Sequence, residues 1–510
     1  IINMFENQPK GLWTLALANT GERFGYYTML AVFALFLGEN FGFSAGVASE
    51  IYSWFLAAVY FLPLFGGMAA DKWGYNKMVI IGIMIMFLGY LFLSIPLGGG
   101  SVAIAAMGAA LLLVSLGTGF FKGNLQVMVG DLYNDPRFSS QRDAGFSLFY
   151  MAINIGALFA PTAATAIMAW AQGSLGYSKA DSYHFAFAVA CVSVIVSIII
   201  YFLGRPTYKQ VIAPATSKDK AGSKTAETQA EAHEDANDTK ERIVCLCLVF
   251  AVVIFFWMAF HQNGLTLTWF ADEFTATSAT GVTGMEFNVL NLVWCIFMMF
   301  GICGLITSKK TTKAVVTNLA LIVVPAAILV YTYIQTGSET VSIAAPIFQQ
   351  FNPCFVVALT PVSIALFSWL GKKGKEPKAP VKIGLGMLVA AVAYIWLTVS
   401  CLGLPTPNQP EHVANVSPNI LVRTYLILTF AELLLSPIGI AFVSKVAPAK
   451  YKGLMMGGWF VATAIGNKLV SIPGHLWDKP LPVVWGVLAV ICLVAALFIF
   501  SIIKKLNKVS

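Results

Sequence analysis

Ionisable side chains are rare within the long apolar runs of this 510-residue chain, so the few that occur there are the first candidates for chemistry. A charge inside a bilayer costs several kcal/mol unless it is paired or hydrated, which makes each one a functional candidate by default. The candidates are Glu22, Arg23, Lys122, His261, Glu432 and, near the end of an apolar run, Lys468.

The signs of these charges differ between the two halves of the chain. The first half holds Arg23 and Lys122 against Glu22, and we expect Glu22 to pair with Lys122, because consecutive helical residues point about 100° apart. The second half holds the acid Glu432. A zwitterion between the halves would direct its carboxylate toward the bases and its ammonium toward Glu432, as the two ends of any short peptide could. The alternative is an internal salt bridge that only holds helices together.

The composition indicates which elements must position these charges. Apolar residues make up 58% of the chain and charged residues 11%, whereas soluble proteins carry about 25% charged residues. The net charge of +8 is spread over scattered bases, so we expect no nucleic-acid partner. Eight cysteines, mostly within apolar runs, and five widely spaced histidines predict no metal or cofactor. We expect a polytopic membrane protein in contact with the lipid bilayer, and no enzyme.

Apolar runs long enough to cross a bilayer, about 20 residues each, occur fourteen times. The predicted helices cover residues 11–38, 48–70, 78–97, 101–130, 143–172, 183–204, 243–271, 286–308, 314–335, 346–370, 381–402, 420–443, 453–472 and 483–503. An even number places both termini on one side. Lys and Arg concentrate in the segments that share that side, which predicts that both termini are cytoplasmic.

A polar stretch at residues 205–242 divides these helices into six and eight. It cannot bury a core, and we interpret it as a cytoplasmic linker. Residues 1–204 are then one six-helix bundle, and residues 243–510 a second one with an inserted pair at about 286–335. Removal of that pair leaves six plus six helices and preserves sidedness. The predicted fold class is an all-α polytopic membrane protein with two six-helix bundles and two extra transmembrane helices.

The loop after the second predicted helix, GMAADKWGYNK at 67–77, resembles the G-x-x-x-D-[RK]-x-G signature of the major facilitator superfamily. Its positions are Gly67, Asp71, Lys72 and Gly74. We expect glycine to permit close helix approach, Asp71 to accept hydrogen bonds at a neighbouring helix end, and the bases to face lipid headgroups.

Further motifs resemble the proton-dependent oligopeptide transporters, the POT family of that superfamily. They are GERFGYY at 21–27, GTGFFKGNLQVMVGDLY at 117–133, RDAGFSLFYMAINIGALFAP at 142–161, FFWMAFHQNG at 255–264, QQFNP at 349–353, TFAELLLSPIG at 429–439 and MMGGWF at 455–460. The resemblance implies a bacterial inner-membrane importer of di- and tripeptides that works by alternating access with proton coupling. The alternative is a facilitative or differently coupled carrier of another small solute, such as nitrate or an amino-acid derivative.

The same resemblance implies that Arg23 and Lys122 bind the peptide carboxylate and that Glu432 binds the amino terminus. Tyrosine and tryptophan offer rigid walls with one polar tip, and asparagine can bond a peptide amide whatever the side chains are. For each aromatic residue, packing between helices is the alternative. The expected lining residues are Tyr26, Tyr27, Tyr60, Asn154, Trp257, Asn352 and Trp459.

Two departures from the family pattern concern proton coupling. The position three residues before the Glu-Arg pair, usually glutamate, is Asn19, which cannot take a proton. The position before the glutamine of the seventh-helix motif usually carries an acidic residue, and here it is His261. An unperturbed histidine titrates near pH 6.5. We expect coupling through Glu22 and His261, weaker than in members with the full motif. The alternative for His261 is a neutral, hydrogen-bonded histidine.

Overall fold

The computed structural model describes residues 5–212, 236–409 and 415–510, and a helix occupies each of the fourteen predicted spans. These helices are α1 (Lys10–Phe41), α2 (Ala45–Trp73), α3 (Tyr75–Ser94), α4 (Ser101–Asp131), α5 (Arg142–Gly173), α6 (Lys179–Leu203), α7 (Ala236–Phe260), α8 (Val289–Thr307), α9 (Thr312–Thr336), α10 (Phe351–Lys372), α11 (Ala379–Ser400), α12 (Asn419–Val446), α13 (Lys452–Lys468) and α14 (Leu481–Ser501). Twelve helical segments of the described residues are long and apolar enough to cross a membrane. The other two are α1, which carries Lys10, Glu22, Arg23 and Glu39, and α13, which has 17 residues.

The helices form two bundles that meet along two seams. In the first bundle α1 packs on α5 and α6, and α4 packs on α2 and α3. In the second bundle α11 packs on α12 and α14, and α7 packs on α13. The bundles contact each other where α2 lies on α13 and where α5 lies on α10. The predicted fold class is therefore confirmed, and the space between the bundles is bordered by helices that carry the candidate charges.

Close approach of α2 and α4 occurs at Gly66, and the expectation that Gly67 provides it is wrong. A Cβ atom at Gly66 would overlap the backbone of Gly119, whereas a Cβ atom at Gly67 would meet open space. The two positions lie about 100° apart around the helix, so only one of them can face α4. Gly67 instead lines a cavity.

The predicted helix at 243–271 is interrupted. It begins earlier, at Ala236, and runs to Phe260; a 3₁₀ turn at His261–Gly264 and a short helix at Thr266–Glu273 follow. Gln262 is fully buried at this break. Its amide donates to the carbonyls of Met258 (3.1 Å) and Val470 (3.0 Å), and its Oε1 accepts from Thr266 (2.6 Å). These bonds compensate for helix hydrogen bonds that the break removes, and they leave His261 at the point of interruption.

The helices of the predicted insertion pack mainly on each other. A Cβ atom at Gly301 or Gly304 of α8 would overlap Asn318 of α9, so these helices approach closely. In α9 only Asn318 and Pro325 are buried, and α8 also packs on α10. A two-stranded antiparallel ladder, β1 (Ser278–Ala279) with β2 (Val341–Ser342), joins the chain before the pair to the chain after it. Most of the α9 surface is therefore exposed on the outside of the helical assembly.

The predicted linker is only partly covered by the described residues. After α6 come a short helix, Arg205–Tyr208, and a 3₁₀ turn, Lys209–Val211. Tyr208 is buried, and its hydroxyl donates to the carbonyl of Tyr201. Residues 213–235 of the linker lie outside the described residues.

Candidate functional site

Glu22 pairs with its neighbour Arg23, and the expected ion pair with Lys122 is wrong. Arg23 Nε donates to Glu22 Oε2 and Nη2 to Oε1, each at 2.5 Å, and both side chains are buried. The guanidinium is long and planar enough to fold back onto the preceding carboxylate as a two-pronged donor. The 100° separation at the backbone does not prevent this, because the arginine side chain bends around the helix.

Lys122 on α4 is consequently left without a carboxylate. Within the described residues no acid lies at ion-pair distance from its ammonium, which instead sits 4.9 Å from the centre of the Tyr60 ring. Lys122 and Tyr60 both line a cavity of about 530 Å³, which is formed mainly by α2, α4 and α5 of the first bundle and reaches Phe460 of the second. A positive charge that faces this cavity is available to an anionic group of a substrate.

Tyr26 and Tyr27 surround the guanidinium of Arg23. Its central carbon lies 4.4 Å from the centre of the Tyr26 ring and 5.8 Å from that of Tyr27. Tyr27 also interacts electrostatically with Glu432 of the second bundle. The phenol of Tyr27 is therefore near both the buried base of one bundle and the acid of the other.

Glu432 on α12 is held by the amide of Asn352, which also bonds to the hydroxyl of Thr429. Asn352 Nδ2 on α10 donates to Glu432 Oε2 (2.9 Å) and to Thr429 Oγ1 (3.1 Å). In the part of the chain that the structure describes, no lysine, arginine or histidine pairs with this half-buried carboxylate. Its charge is oriented by Asn352 but not neutralised, so the position suits an ammonium group. The sequence identified both residues, and the structure brings them into direct contact.

His261 lies where the bundles meet. Its ring stacks on Trp257 at 5.2 Å between ring centres, and the Tyr60 ring of the first bundle is 5.4 Å away. Its Nδ1 lies 2.5 Å from Asn467 Oδ1 on α13. Sequence reasoning did not single out Asn467, although a buried amide that requires partners is a recognisable signal.

Asn154 and Trp459 are positioned by other contacts. Asn154 donates to the carbonyl of Tyr150 in its own helix at 3.0 Å. Trp459 is buried, and its ring fills the space beside Gly439, where a Cβ atom would overlap it. Neither has a hydrogen bond to the candidate charges among the described residues. The packing alternative describes Trp459 in this structure.

The signature loop lies along the same cavity. Asp71 accepts a hydrogen bond from the hydroxyl of Tyr75 at 3.0 Å, at the first residue of α3, and Lys72 covers the ring of Trp73 at 5.0 Å. Gly74 joins α2 to α3 with a φ of 95°, a conformation that favours glycine. The cavity extends from Lys122 to Asp71, and we call this side of the protein the Asp71 face.

On the opposite side, charged groups from both bundles meet at Glu50, near the start of α2. Lys468 Nζ contacts Glu50 Oε2 at 2.7 Å, and His475 Nε2 contacts Oε1 at 2.7 Å. Lys468, at the end of α13, therefore forms an ion pair across the two bundles. Sequence reasoning missed Glu50 and His475, whose only signal is that a lysine at the end of an apolar run needs a partner. We call this side the Glu50 face; here the bundles are tied together.

Two helical bundles that meet beside this cavity, with a base in one and an acid in the other that have no ion-pair partner among the described residues, define a membrane carrier of the major facilitator type. The POT family model matches residues 76–218 and 328–481, more than half of the chain, and the chain belongs to this family. The segment between the two matched stretches contains α7 and α8, the region of the broken helix and the predicted insertion.

Individual relatives match nearly end to end. The uncharacterized transporter YclF of Bacillus subtilis (strain 168) is 29% identical over 99% of this chain and 96% of its own. A di-/tripeptide transporter of Lactococcus lactis subsp. lactis (strain IL1403) is 27% identical over 91% and 89%, respectively.

Solved structures share the fold at lower identity. A crystal structure of the peptide transporter POT in complex with sulfate is 23% identical, with a TM-score of 0.73 over 99% of this chain and 96% of that one. A POT family transporter in complex with 5-aminolevulinic acid is 20% identical, with a TM-score of 0.74 over 98% of each chain. At these identities the comparison establishes the fold of the chain.

Proposed function

We propose that this protein is a secondary active transporter that imports di- and tripeptides across the bacterial inner membrane, coupled to protons. The observation that carries the proposal is the pair of unneutralised charges on opposite bundles, Lys122 and Glu432. The name of the Lactococcus lactis relative supports the same substrate class. Both termini are cytoplasmic in this proposal, so the Asp71 face is the cytoplasmic side and the Glu50 face the outer side.

The peptide binds to the charged side chains that have no ion-pair partner among the described residues of the protein. The peptide carboxylate binds Lys122 first, and its ammonium binds Glu432, which Asn352 holds at 2.9 Å. Each charge-assisted hydrogen bond contributes about 1.5–3 kcal/mol. Tyr27 is near both Arg23 and Glu432, where its ring and hydroxyl can contact the peptide backbone. Because these contacts are made to the two termini of the peptide, the site accepts peptides with many different side chains.

Proton coupling follows from competition for Arg23. While Glu22 is ionised, it occupies the guanidinium with two hydrogen bonds. Protonation of Glu22 weakens that pair and makes Arg23 available to the peptide carboxylate. When the proton leaves toward the cytoplasm, Glu22 binds Arg23 again and displaces the peptide. His261, at the bundle interface, is the second proton carrier; Asn19 cannot serve.

Alternating access requires the contacts of Glu50 with Lys468 and His475 to break and to form again. In this structure they are formed, while the cavity lies along the Asp71 face, as expected for a state that communicates with the cytoplasm. The two bundles, 1–204 and 243–510, rock about the site, and the linker at 205–242 connects them in the cytoplasm. The pair at 286–335 is an insertion without a transport role.

Uptake of a labelled dipeptide into proteoliposomes tests the proposal. An imposed inside-alkaline pH gradient should drive accumulation above equilibrium, and unlabelled free dipeptides should compete while doubly capped ones should not. Equal competition by capped peptides would contradict the terminus-binding site. The second candidate, a facilitative or differently coupled carrier, is favoured by Asn19; it predicts saturable uptake that ignores the pH gradient.

A further inference from the structure

A single buried amide connects His261 to the opposite bundle. Asn467 lies near the end of α13 and is completely buried. Its Oδ1 lies 2.5 Å from His261 Nδ1, and its Nδ2 donates to the carbonyl oxygen of Leu56 on α2 at 3.4 Å. The next residue, Lys468, binds Glu50 on the same helix α2. The end of α13 is thus docked on α2 by two neighbouring side chains.

The Leu56 carbonyl determines how the amide is oriented. A backbone carbonyl oxygen can only accept hydrogen bonds, so Asn467 must direct its NH₂ group toward Leu56. Its own carbonyl oxygen then faces His261 and also can only accept. The hydrogen between them therefore belongs to His261 Nδ1. In the neutral ring the second nitrogen, Nε2, must then carry the lone pair.

Nε2 is the ring nitrogen that remains without a hydrogen bond in the described part of this structure. Within the described residues, Nε2 has no hydrogen-bond partner. The groups that face the ring are Tyr60 on α2, Trp257 and Phe260 on α7, Lys122 on α4, which interacts with it electrostatically, and Asn467 on α13. No carboxylate of the described residues forms an ion pair with His261.

We infer that Asn467 is a positioning residue for proton coupling: it holds His261 as the Nδ1–H tautomer, with Nε2 as the proton-accepting atom, only while α13 is docked on α2. A proton that arrives adds to Nε2, Nδ1 keeps its hydrogen, and the ring gains one positive charge. When the Glu50 face opens, the bond to Leu56 breaks and the amide is free to rotate. Once the imidazolium has released its Nδ1 proton, the ring keeps its hydrogen on Nε2 and Nδ1 accepts from the amide. The inference rests on the proposed role of His261 as a proton carrier.

Nitrogen-15 NMR of the full-length protein in lipid nanodiscs, labelled at histidine, tests the tautomer directly. The chain has five histidines, and His261→Gln identifies the signal of interest by its loss. We expect Nδ1 protonated and Nε2 bare at neutral pH. Asn467→Asp should keep this tautomer and move the titration midpoint up by about one pH unit or more, a tenfold change in proton affinity. Asn467→Leu, which removes the acceptor, should abolish the tautomer preference.

Asn318→Leu is the matched control, because Asn318 is also a buried amide but lies between the inserted helices, away from His261. It should leave the His261 signals unchanged. A wild-type ring protonated at Nε2, or an Asn467→Leu ring that titrates like the wild type, would overturn the inference.

Transport assays separate positioning from a structural role. Asn467→Asp should shift the pH profile of uptake when His261 is present and should leave the profile of His261→Gln unchanged. A change of the same size at every pH, or the same shift in both backgrounds, contradicts a positioning role. If the NMR result holds but uptake ignores a pH gradient, the proposed proton coupling fails while the tautomer assignment stands.

Discussion

The carboxylate of Glu50 binds the ammonium of Lys468 at 2.7 Å, although the two residues are 418 positions apart in the chain. Glu50 belongs to the first bundle and Lys468 to the second. The same carboxylate contacts His475 through its other oxygen. One acid thus connects the bundles on the side opposite the cavity, and its removal should change which side of the carrier is open.

Glu50→Gln should shift the protein toward the state that is open at the Glu50 face. A partly exposed ion pair contributes about 0.2–1 kcal/mol, which corresponds to a change of up to roughly fivefold in the ratio of the two states. Pulsed electron paramagnetic resonance between spin labels at Ser174→Cys and Lys479→Cys, in a chain with the eight native cysteines replaced, measures the separation. In Glu50→Gln we expect a larger fraction of molecules to show the longer distance between the two labels than in the wild type.

Glu376→Gln is the matched control, because it breaks an ion pair with Lys382 inside the second bundle. An unchanged distance distribution in Glu50→Gln would show that Glu50 does not help to close the Glu50 face. His475→Gln, which removes the second contact of the same carboxylate, should shift the distance distribution in the same direction as Glu50→Gln but by less.

Blocking either end of a dipeptide should weaken its competition for uptake. Loss of one charge-assisted hydrogen bond costs about 1.5–3 kcal/mol, or roughly 10- to 150-fold in apparent affinity. Glu432→Gln should remove most of the discrimination against N-blocked peptides while preserving that against C-blocked ones. Asn352→Ala, which removes the amide that holds Glu432, should reduce the same discrimination by a smaller factor. Competition constants for free and capped dipeptides provide the measurement.

Glu22→Gln should abolish uphill accumulation while counterflow exchange continues. The neutral amide no longer competes for Arg23, so the guanidinium remains available to the peptide and proton movement is uncoupled from binding. His261→Gln should reduce accumulation as well. If His261→Gln still concentrates peptide to the wild-type level, His261 is a structural histidine. Wild-type uptake that ignores the pH gradient would indicate a facilitator.

Excision of the inserted helices should preserve transport. Ala279 pairs with Val341 in the β1–β2 ladder, so residues 280–340 can be replaced by Asn-Gly, a two-residue hairpin turn, without displacing the flanking chain. Stability should fall, because Phe287 packs on Phe348 and Phe351 at ring distances of 5.1 and 5.5 Å. Uptake per folded molecule is compared with that of the intact chain. A folded protein without uptake would assign the pair a role in transport.

Local patterns predicted the helices and the positions of the buried charges. A bilayer demands about 20 apolar residues in a form that satisfies its own backbone hydrogen bonds, so the fourteen runs specify fourteen helices without tertiary information. Lys122, His261 and Glu432 could be identified because ionisable groups contrast with an apolar background. The motifs around Glu22 and Asn154 then indicated the family.

Only the tertiary structure decided which charges meet. The Arg23 side chain bends around α1 to bind Glu22, so Lys122 has no carboxylate partner among the described residues. The spacing of the residues along the backbone does not determine how that side chain bends. Gly66 rather than Gly67 faces α4 because helix rotation is set by packing. The contacts of Glu50 with Lys468 and of Asn467 with Leu56 depend on how one bundle docks on the other. Sequence patterns report periods of a few residues, whereas docking brings together side chains hundreds of residues apart.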